Sequence, residues 1–172
     1  MENLIPAWVD GTLAPKEKIL VHRQGLRHKA VSVFVLSQAG LLIQRRALGK
    51  YHTPGLWANT CCTHPNWAEA PADCASRRLF EELGIEGLQQ EFRGRVEYRA
   101  DVGNGMIEDE VVDVFAADAM PDLKISPNAD EVMDFRWIPV DDLQAEIERT
   151  PQIFTPWLRI YLSEHRQQIL GA

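Results

Sequence analysis

The chain has 172 residues and a formal net charge of −7 at pH 7, with 45% apolar and 25% charged residues. This length and composition favour one globular domain, residues 1–172, with a core large enough to fold without disulfides. The negative net charge disfavours broad binding to nucleic acid or to anionic membrane surfaces. No stretch of 18 apolar residues is present, so the sequence predicts no membrane span.

Cysteine usage and the N-terminal sequence both indicate a cytoplasmic protein. The three cysteines are an odd number, and two of them, Cys61 and Cys62, are adjacent. Adjacent cysteines seldom bridge each other, so we expect reduced thiols. The first six residues lack a basic region followed by a long apolar run, which argues against a secretory signal.

The strands are predicted from β-branched and aromatic runs between turn residues. Residues 1–18 read as an arm with an edge hairpin, turned at Asp10-Gly11. Five further strands are predicted, at 30–37, 41–46, 92–100, 108–117 and 131–138.

Helices are predicted at three places, 71–84, 139–149 and 156–170. Pro71 suits the first turn of the first helix and Gly84 its C-cap, and Thr155 is a plausible N-cap for the third. Strands and helices alternate irregularly along the chain. This pattern favours an α/β (α+β) fold with a mixed sheet sandwiched between helices.

Histidines and glutamates form a candidate metal site. Glu108 and Glu110 have one residue between them in a predicted strand, so both carboxylates should lie on one face. Three histidines accompany them, His22, His28 and His64, of which the first two come just before the first core strand. Such a set would suit Mn²⁺, Mg²⁺ or Zn²⁺. The alternative is that these residues are solvated surface groups, as we expect for His52 and His165.

Cys62 stands two residues before His64, where a thiol could take part in acid–base chemistry. A nearby metal ion or imidazolium lowers the pKa of a thiol, and the thiolate can move protons or attack carbon. The alternative is a small buried core residue, the commonest fate of a free cysteine. We favour that alternative for Cys74 and for Cys61, whose side chain should point away from that of Cys62.

A basic run after the second core strand could hold an anion. Arg46 and Lys50 offer a guanidinium and an ammonium group suited to a diphosphate, and Lys18 and Arg78 could add to them. Alone, such a run is more often a solvated strand end.

Residues 63–85 resemble the Nudix box, a motif of diphosphate-handling enzymes. The matching positions are Glu69, Arg77, Glu81, Glu82, Gly84 and Ile85. Thr63 stands where the box has a glycine, and Arg78 stands where it has a metal-binding glutamate. The carboxylate set for hydrolysis is therefore incomplete, while Arg78 could contact a diphosphate.

Most of the chain after Lys16 resembles the type I isopentenyl-diphosphate isomerases, which have a Nudix fold. The resemblance is carried by segments 22–34, 44–47, 54–65, 77–84, 98–100, 108–111, 130–134 and 155–157. It implies a single Nudix-like domain whose residues 1–29 form an N-terminal arm or lid. It also implies interconversion of isopentenyl and dimethylallyl diphosphate, for isoprenoid biosynthesis, by protonation and deprotonation through a tertiary carbocation.

The resemblance assigns roles to individual residues. Cys62 would be one proton-transfer residue, and Glu110, helped by Tyr98, would be the other. One divalent ion, Mn²⁺ or else Zn²⁺ or Mg²⁺, would be held by His22, His28, His64, Glu108 and Glu110. Glu82, with the Cys62 backbone carbonyl as a further ligand, would hold a second ion, Mg²⁺, that bridges to the substrate. Substrate contacts would come from Lys18, Arg46, Lys50, Arg78 and Trp157, the last at the hydrocarbon end.

The expected partner is a small-molecule diphosphate rather than nucleic acid or a membrane, and the expected oligomeric state is a monomer or weak homodimer. No flavin is expected, because the chain has no Gly-rich phosphate loop and is too short for a barrel. Two other functions stay open. A Nudix hydrolase of a nucleoside diphosphate derivative would leave Cys62 and His64 without a role. A non-catalytic domain could instead use the same residues to hold structural Zn²⁺.

Overall fold

A mixed β-sheet runs through the centre of the molecule. The computed structural model describes residues 3–171, so residues 1, 2 and 172 of the predicted domain and arm lie outside the described part. The described strands are β1 (Leu4–Val9), β2 (Thr12–Glu17), β3 (Arg27–Ser37), β4 (Gly40–Arg46), β5 (Trp57–Ala58), β6 (Cys61–Thr63), β7 (Glu91–Gly103), β8 (Met106–Asp118) and β9 (Val132–Ile138). β8 pairs with β3 in parallel over Arg27 to Leu36, and the other named pairs are antiparallel.

β3 is the central strand of the sheet. Because β8 follows it over nearly its whole length, β8 occupies one edge of β3. The other edge is divided along its length among β1, β6 and β4. Groups carried by β6 and by β8 therefore approach β3 from opposite edges.

Helices cover both faces of this sheet. The described helices are α1 (Lys18–Gln24), α2 (Pro71–Leu83), α3 (Val140–Arg149), α4 (Pro156–Glu164) and α5 (Arg166–Leu170), with a 3-10 turn at Pro151–Ile153. α2 packs on one face, against Val31, Val33 and Val35 of β3. α3, α4 and α5 pack on the other, with Ala30 and Phe34 of β3 in the same cluster. Within residues 3–171 no helix is long and apolar enough to cross a membrane.

The sandwich of helices and mixed sheet confirms the predicted fold class. The predicted strands and the hairpin at residues 1–18 are present within a few residues of their expected ends. Asp10 and Gly11 turn that hairpin with φ of 50° and 78°. β7 and β8 extend further than predicted, to a second tight turn at Asn104 and Gly105, with φ of 55° and 70°. Each turn has two successive residues with positive φ, as in the hairpin turns whose twist matches that of the paired strands.

Three local predictions were wrong. α1 is a seven-residue helix that was not predicted, because its N-cap is Glu17 rather than one of the residues usually found there. His28 lies within β3 instead of before it. The predicted helix 156–170 is two helices, because His165 has φ −127° and ψ 9° and leaves the helical conformation between α4 and α5.

Candidate active site

Five buried side chains, which we call the His/Glu cluster, meet on the α4 side of the sheet. They are His22 of α1, His28 of β3, His64 just after β6, and Glu108 and Glu110 of β8. Their potential ligand atoms all lie within 4.8 Å of one another. His28 is paired with Glu110 across β3 and β8, and alternation along β8 brings Glu108 to the same face. The five predicted residues are therefore together, while their role as metal ligands stays a prediction.

Backbone carbonyl groups set the tautomer of two cluster histidines. His22 Nδ1 lies 2.6 Å from the Lys18 carbonyl oxygen, and His28 Nδ1 lies 2.7 Å from that of Leu26. A carbonyl only accepts, so each Nδ1 carries the proton and each Nε2 presents a lone pair. Both Nε2 atoms are buried without a hydrogen-bond partner, 3.5 and 3.3 Å from the nearest glutamate oxygens. Lone pairs facing carboxylates repel each other, so the arrangement suits a cation between them.

The two glutamates share one phenol. The Tyr98 hydroxyl lies 2.7 Å from Glu110 Oε2 and 2.9 Å from Glu108 Oε2, yet it has a single proton to donate. Burial and the charge of Glu108 raise the pKa of Glu110. Burial opposes ionisation of Glu108 too, but a hydrogen bond from Glu110 and the nearby imidazoles of His22 and His52 outweigh it and lower its pKa. Without a cation one carboxyl group keeps a proton, and a divalent ion could take the place of that proton.

Two of the cluster histidines, His28 and His64, are neutral, which is the form that binds metal. Burial lowers the pKa of His28 to about 4. Burial, followed by the charges of Lys18 and His22, holds the pKa of His64 well below its usual range. Neutral imidazoles and buried carboxylates form a mixed nitrogen and oxygen donor set, so the residues present fit a divalent metal ion.

The Cys62 thiol lies in a directed chain of hydrogen bonds. Asn59 Nδ2 donates to two backbone carbonyl groups, so Asn59 Oδ1 faces the thiol and accepts its proton at 2.8 Å. The sulfur lies 3.2 Å from Ser32 Oγ, which lies 2.8 Å from the Tyr161 hydroxyl. The single proton of Cys62 is already donated to Asn59, so Ser32 must donate its proton to the Cys62 sulfur. Tyr161 then donates its own proton to Ser32 Oγ.

This environment makes Cys62 a neutral thiol. Burial raises its pKa, and the hydrogen bond from Ser32 only partly opposes that effect. A nearby metal ion or imidazolium would lower this pKa; among the protein groups alone, removal from water and the charges of Glu110 and Glu108 raise it. A neutral thiol is a proton donor rather than a nucleophile.

The other two cysteines are core residues, which confirms their prediction. Cys61 and Cys74 are fully buried and pack on the α2 side of the sheet. Cys62, the next residue along β6, packs against the opposite cluster, as alternation along a strand requires. All three thiols are free.

Two adjoining cavities reach these groups. The outer chamber has a volume of about 250 Å³, and its charged lining consists of Lys18, Lys50, Arg77, Arg78 and Glu131, with the neutral His64 beside them. The inner chamber measures about 10 Å³ and reaches Cys62, Glu108 and Glu110. Tyr51 and Thr63 line both chambers, as His64 does. A cationic entrance therefore leads to the proposed acid–base groups.

Three of the predicted substrate residues line the outer chamber. Arg78 contacts three carboxylates there, those of Glu81 at 2.7 Å, Glu82 at 2.6 Å and Glu131 at 3.3 Å. Lys50 also pairs with Glu131. Burial and the charges of Lys50 and Arg78 lower the pKa of Lys18 to about 8. Arg78 and Lys50 are therefore partly neutralised by carboxylates that an anionic ligand could replace.

The remaining predicted residues lie deeper. Arg46 and Trp157 line the inner chamber, with the guanidinium carbon 5.3 Å from the centre of the indole ring. Glu82 lies on neither chamber wall: its Oε1 accepts from Arg78 at 2.6 Å and its Oε2 from Gln44 at 2.8 Å. Its role in holding a second ion stays a prediction.

His52, expected to be an ordinary surface histidine, is buried in the site instead. It is 2% exposed, and its Nε2 lies 2.6 Å from Glu108 Oε1. Its ring packs edge-on against Tyr51 and Trp157. The prediction was wrong because the local sequence of a loop does not show which other segments of the chain pack against it. His165 is partly exposed.

Four other residues of the site were not proposed from the sequence. Ser32 is a polar residue inside the apolar run of β3, and that interruption is a usable signal, whereas Gln44 is followed by two arginines and interrupts nothing. Asn59 stands three residues before Cys62, between β5 and β6, where the sequence predicts no strand. Tyr161 had no signal, because an aromatic residue on an amphipathic helix is usually core.

Known structures share this fold. A protein of Deinococcus radiodurans aligns over 93% of this chain and 96% of its own, with a TM-score of 0.73 and 15% identity. A MutT NUDIX hydrolase of Burkholderia pseudomallei aligns over 81% and 98%, with a TM-score of 0.62 and 23% identity. A profile of the NUDIX domain matches residues 26–158. The fold and the profile define a Nudix protein.

Full-length relatives make the assignment more specific. The isopentenyl-diphosphate Delta-isomerase of Dinoroseobacter shibae is 61% identical over 172 residues, covering 100% of this chain and 98% of that protein. The protein of the same name from Ruegeria pomeroyi is 62% identical over 171 residues, covering 99% and 95%. The chain belongs to the isopentenyl-diphosphate Delta-isomerase family.

Proposed function

We propose that this chain interconverts isopentenyl diphosphate and dimethylallyl diphosphate, adding a proton at one carbon and removing another two carbons away. Relatives that are 61% and 62% identical and bear the isomerase name support this. The observation that carries the proposal is that two acid–base groups reach one chamber from opposite sides. Cys62 comes from β6 and Glu110 from β8, the strands on the two edges of β3.

The proposed chemistry uses these groups as a pair. An unactivated alkene is a very weak base, so its protonation needs a positioned acid and yields a tertiary carbocation. One of Cys62 and Glu110 donates this proton while the other accepts one, and the roles exchange in the reverse direction. Tyr98, bonded to Glu110 at 2.7 Å, orients that carboxyl group. Because only protons are exchanged, the reaction needs no flavin.

The two chambers suit the two ends of the substrate. Lys18, Lys50 and Arg78 would bind the diphosphate in the outer chamber, with Arg46 reaching it from the inner one. Trp157 would face the hydrocarbon, where an indole ring stabilises a desolvated cation by about 2 kcal/mol or more.

Entry of the hydrocarbon requires movement. The inner chamber, about 10 Å³, has room for roughly one water molecule. Asn3 and Lys18, from the two ends of the N-terminal hairpin, line the outer chamber. We therefore propose that residues 1–29 act as a lid, which opens to admit substrate and closes to keep water from the carbocation.

The His/Glu cluster would hold one divalent ion, Mn²⁺ or else Zn²⁺ or Mg²⁺. Glu82, with the Cys62 backbone carbonyl, would hold Mg²⁺ against the diphosphate, after exchanging a contact with Gln44 or Arg78. Bound ions would supply positive charge that stabilises the ionised carboxylates and the diphosphate.

We also propose a cytoplasmic location, where the three free thiols would stay reduced. The chain would act on a small-molecule diphosphate as a monomer or weak homodimer. Its net charge of −7 disfavours nucleic acid and anionic membranes as partners.

An isomerase assay in D₂O with Mg²⁺ and Mn²⁺ tests the proposed function. The wild-type protein should convert isopentenyl diphosphate and introduce deuterium into the product. Cys62→Ala should keep its fold and its Mn²⁺ binding but lose about 100-fold or more in rate. Cys61→Ala is the matched control: its thiol points to the α2 side, so it should retain most of the activity.

Three results would contradict the proposal. One is a Cys62→Ala protein as active as the wild type. The second is metal-dependent turnover of nucleoside diphosphate sugars without isomerisation, which would identify a Nudix hydrolase. The third is wild-type turnover that yields a product without deuterium, which would exclude proton addition from solvent-exchangeable groups.

A further inference from the structure

We propose that His52 is a positioning residue of the metal site, whose Nε2–H donates to Glu108 and holds that carboxylate in the orientation needed to bind a divalent ion. The inference rests on the metal site proposed above, and adds to it a residue outside the His/Glu cluster. His52 would not be a ligand. It would act through Glu108.

The contact between the two side chains is short and dry. His52 Nε2 lies 2.6 Å from Glu108 Oε1, and the two residues are 2% and 3% exposed. The other oxygen of Glu108 lies 2.9 Å from the Tyr98 hydroxyl. Both oxygens of this carboxylate therefore have a buried neighbour, and a hydrogen bond to a carboxylate is stronger in such surroundings than in water.

The tautomer of His52 follows from the groups on the other side of its ring. Arg46 Nη2 lies 3.5 Å from His52 Nδ1 and 3.1 Å from the His52 carbonyl oxygen, and Thr53 Oγ1 lies 2.9 Å from Nδ1. A guanidinium group only donates, so Nδ1 presents a lone pair to it. The proton is then on Nε2, which faces Glu108.

His52 thus differs from two of the cluster histidines, His22 and His28. In His22 and His28, backbone carbonyls hold the proton on Nδ1 and leave a lone pair on Nε2. These lone pairs can coordinate a cation, whereas the His52 Nε2–H can only donate. Donation to Oε1 leaves one further lone pair of that oxygen for a cation, and it fixes the plane of the carboxylate.

Packing fixes the ring that makes this contact. The His52 ring centre lies 4.3 Å from that of Tyr51 and 5.7 Å from that of Trp157, with interplanar angles of 65° and 74°. Arg46, which sets the tautomer, itself lies over the Trp157 ring. The ring of His52 therefore has aromatic neighbours as well as a polar side chain close to each of its nitrogens.

Mn²⁺ titration of metal-stripped protein tests the inference, with the dissociation constant read by electron paramagnetic resonance. His52→Leu keeps most of the bulk but has no donor, and should weaken Mn²⁺ binding by about 10- to 100-fold. His52→Gln can still reach Glu108 with an amide N–H, and should stay within about threefold of the wild type. His165→Leu replaces a partly exposed histidine and is the control that should bind normally. In the isomerase assay, His52→Leu should need more Mn²⁺ but recover most of its rate at saturating Mn²⁺.

The outcomes distinguish the role of His52 from the proposed metal site on which it depends. If the wild-type protein binds no Mn²⁺, the metal site itself is refuted, and the role of His52 falls with it. If the wild type binds and His52→Leu binds equally well, only the role of His52 is refuted. Equal weakening by Leu and Gln would show that packing rather than hydrogen bonding matters, and would also overturn it. If His52→Leu does not fold, His52→Asn replaces it: its amide is too short to reach Glu108, and it should bind more weakly than His52→Gln.

Discussion

Replacing Ser32 by alanine tests the hydrogen-bond chain that holds the Cys62 thiol. Ser32 is 1% exposed and lies between the Tyr161 hydroxyl at 2.8 Å and the Cys62 sulfur at 3.2 Å. Ser32→Ala leaves the Tyr161 hydroxyl, which is fully buried, without an acceptor. A buried polar group left unpaired costs about 1–3 kcal/mol, so we expect the free energy of unfolding to fall by about 2 kcal/mol.

The second arm of the experiment removes the other partner. Tyr161→Phe deletes one hydrogen bond but leaves Ser32 bonded to Cys62, so it should cost about 1 kcal/mol. The double variant has no orphaned hydroxyl, and replacing both partners by apolar groups is far less costly than breaking the pair. We therefore expect the double variant to lose about 1 kcal/mol, some 2 kcal/mol less than the sum of about 3 kcal/mol for the single changes.

Urea unfolding in a chelating buffer measures this cycle, because chelation keeps metal binding from contributing to stability. The dependence of the free energy on urea should be the same for all four proteins, so that the midpoints report stability. Ser163→Ala, an exposed serine, is the control and should change the free energy by less than about 0.5 kcal/mol. If the Ser32 and Tyr161 changes add within about 0.5 kcal/mol, the two hydroxyls are not coupled, and the directed chain is wrong.

Two further predictions concern ion pairing and metal. Arg77 donates to both oxygens of Glu69, at 2.6 and 2.8 Å, and these bonds lower the pKa of Glu69 below 4.5. The pair therefore stabilises the fold at any pH above the pKa that Glu69 has in the unfolded chain. This stabilisation is lost as the pH falls through the lower pKa that Glu69 has in the folded protein. Glu69→Gln should lower the free energy of unfolding by about 0.5–1 kcal/mol at neutral pH. Urea unfolding should show the difference between wild type and variant shrinking below pH 4.5. A difference that stays the same at acid pH would contradict this. Chelation should lower the melting temperature. Free Mn²⁺ at about 100 times its dissociation constant should then raise the free energy of unfolding by about 2.7 kcal/mol. A melting temperature that does not change with Mn²⁺ would argue against a metal site in the folded protein.

The regular elements were predictable because their signals are local. The apolar run of β3 and the Pro71 and Gly84 ends of α2 depend on residues next to each other in the chain. α1 was missed because it is short and its N-cap is Glu17, whose carboxylate accepts from Ile19 and Leu20. Its helical state depends on neighbours: Val21 is buried against Ile5 and Ala7 of β1.

The candidate site was predictable only in part. Glu108 and Glu110 could be assigned to one face by alternation along a strand, and three histidines could be named as candidates beside them, to which the resemblance to a family gave a role. Sequence spacing contains no information on tautomers, which depend on backbone carbonyls such as that of Lys18. It also could not predict the raised pKa of Cys62, because burial by distant segments sets that value.

The sequence by itself determined the kind of protein: a mixed sheet between helices, a Nudix box with Arg78 in place of a glutamate, and most of the residues that meet in the site. These features follow from side-chain periodicity, capping and motif spacing, which act over a few residues. The tertiary structure decided the rest. It divided the edges of β3 between the strands of Cys62 and Glu110, and it buried His52 against Glu108. Both results depend on strand pairing and packing between segments far apart in the chain, where local pattern has no influence.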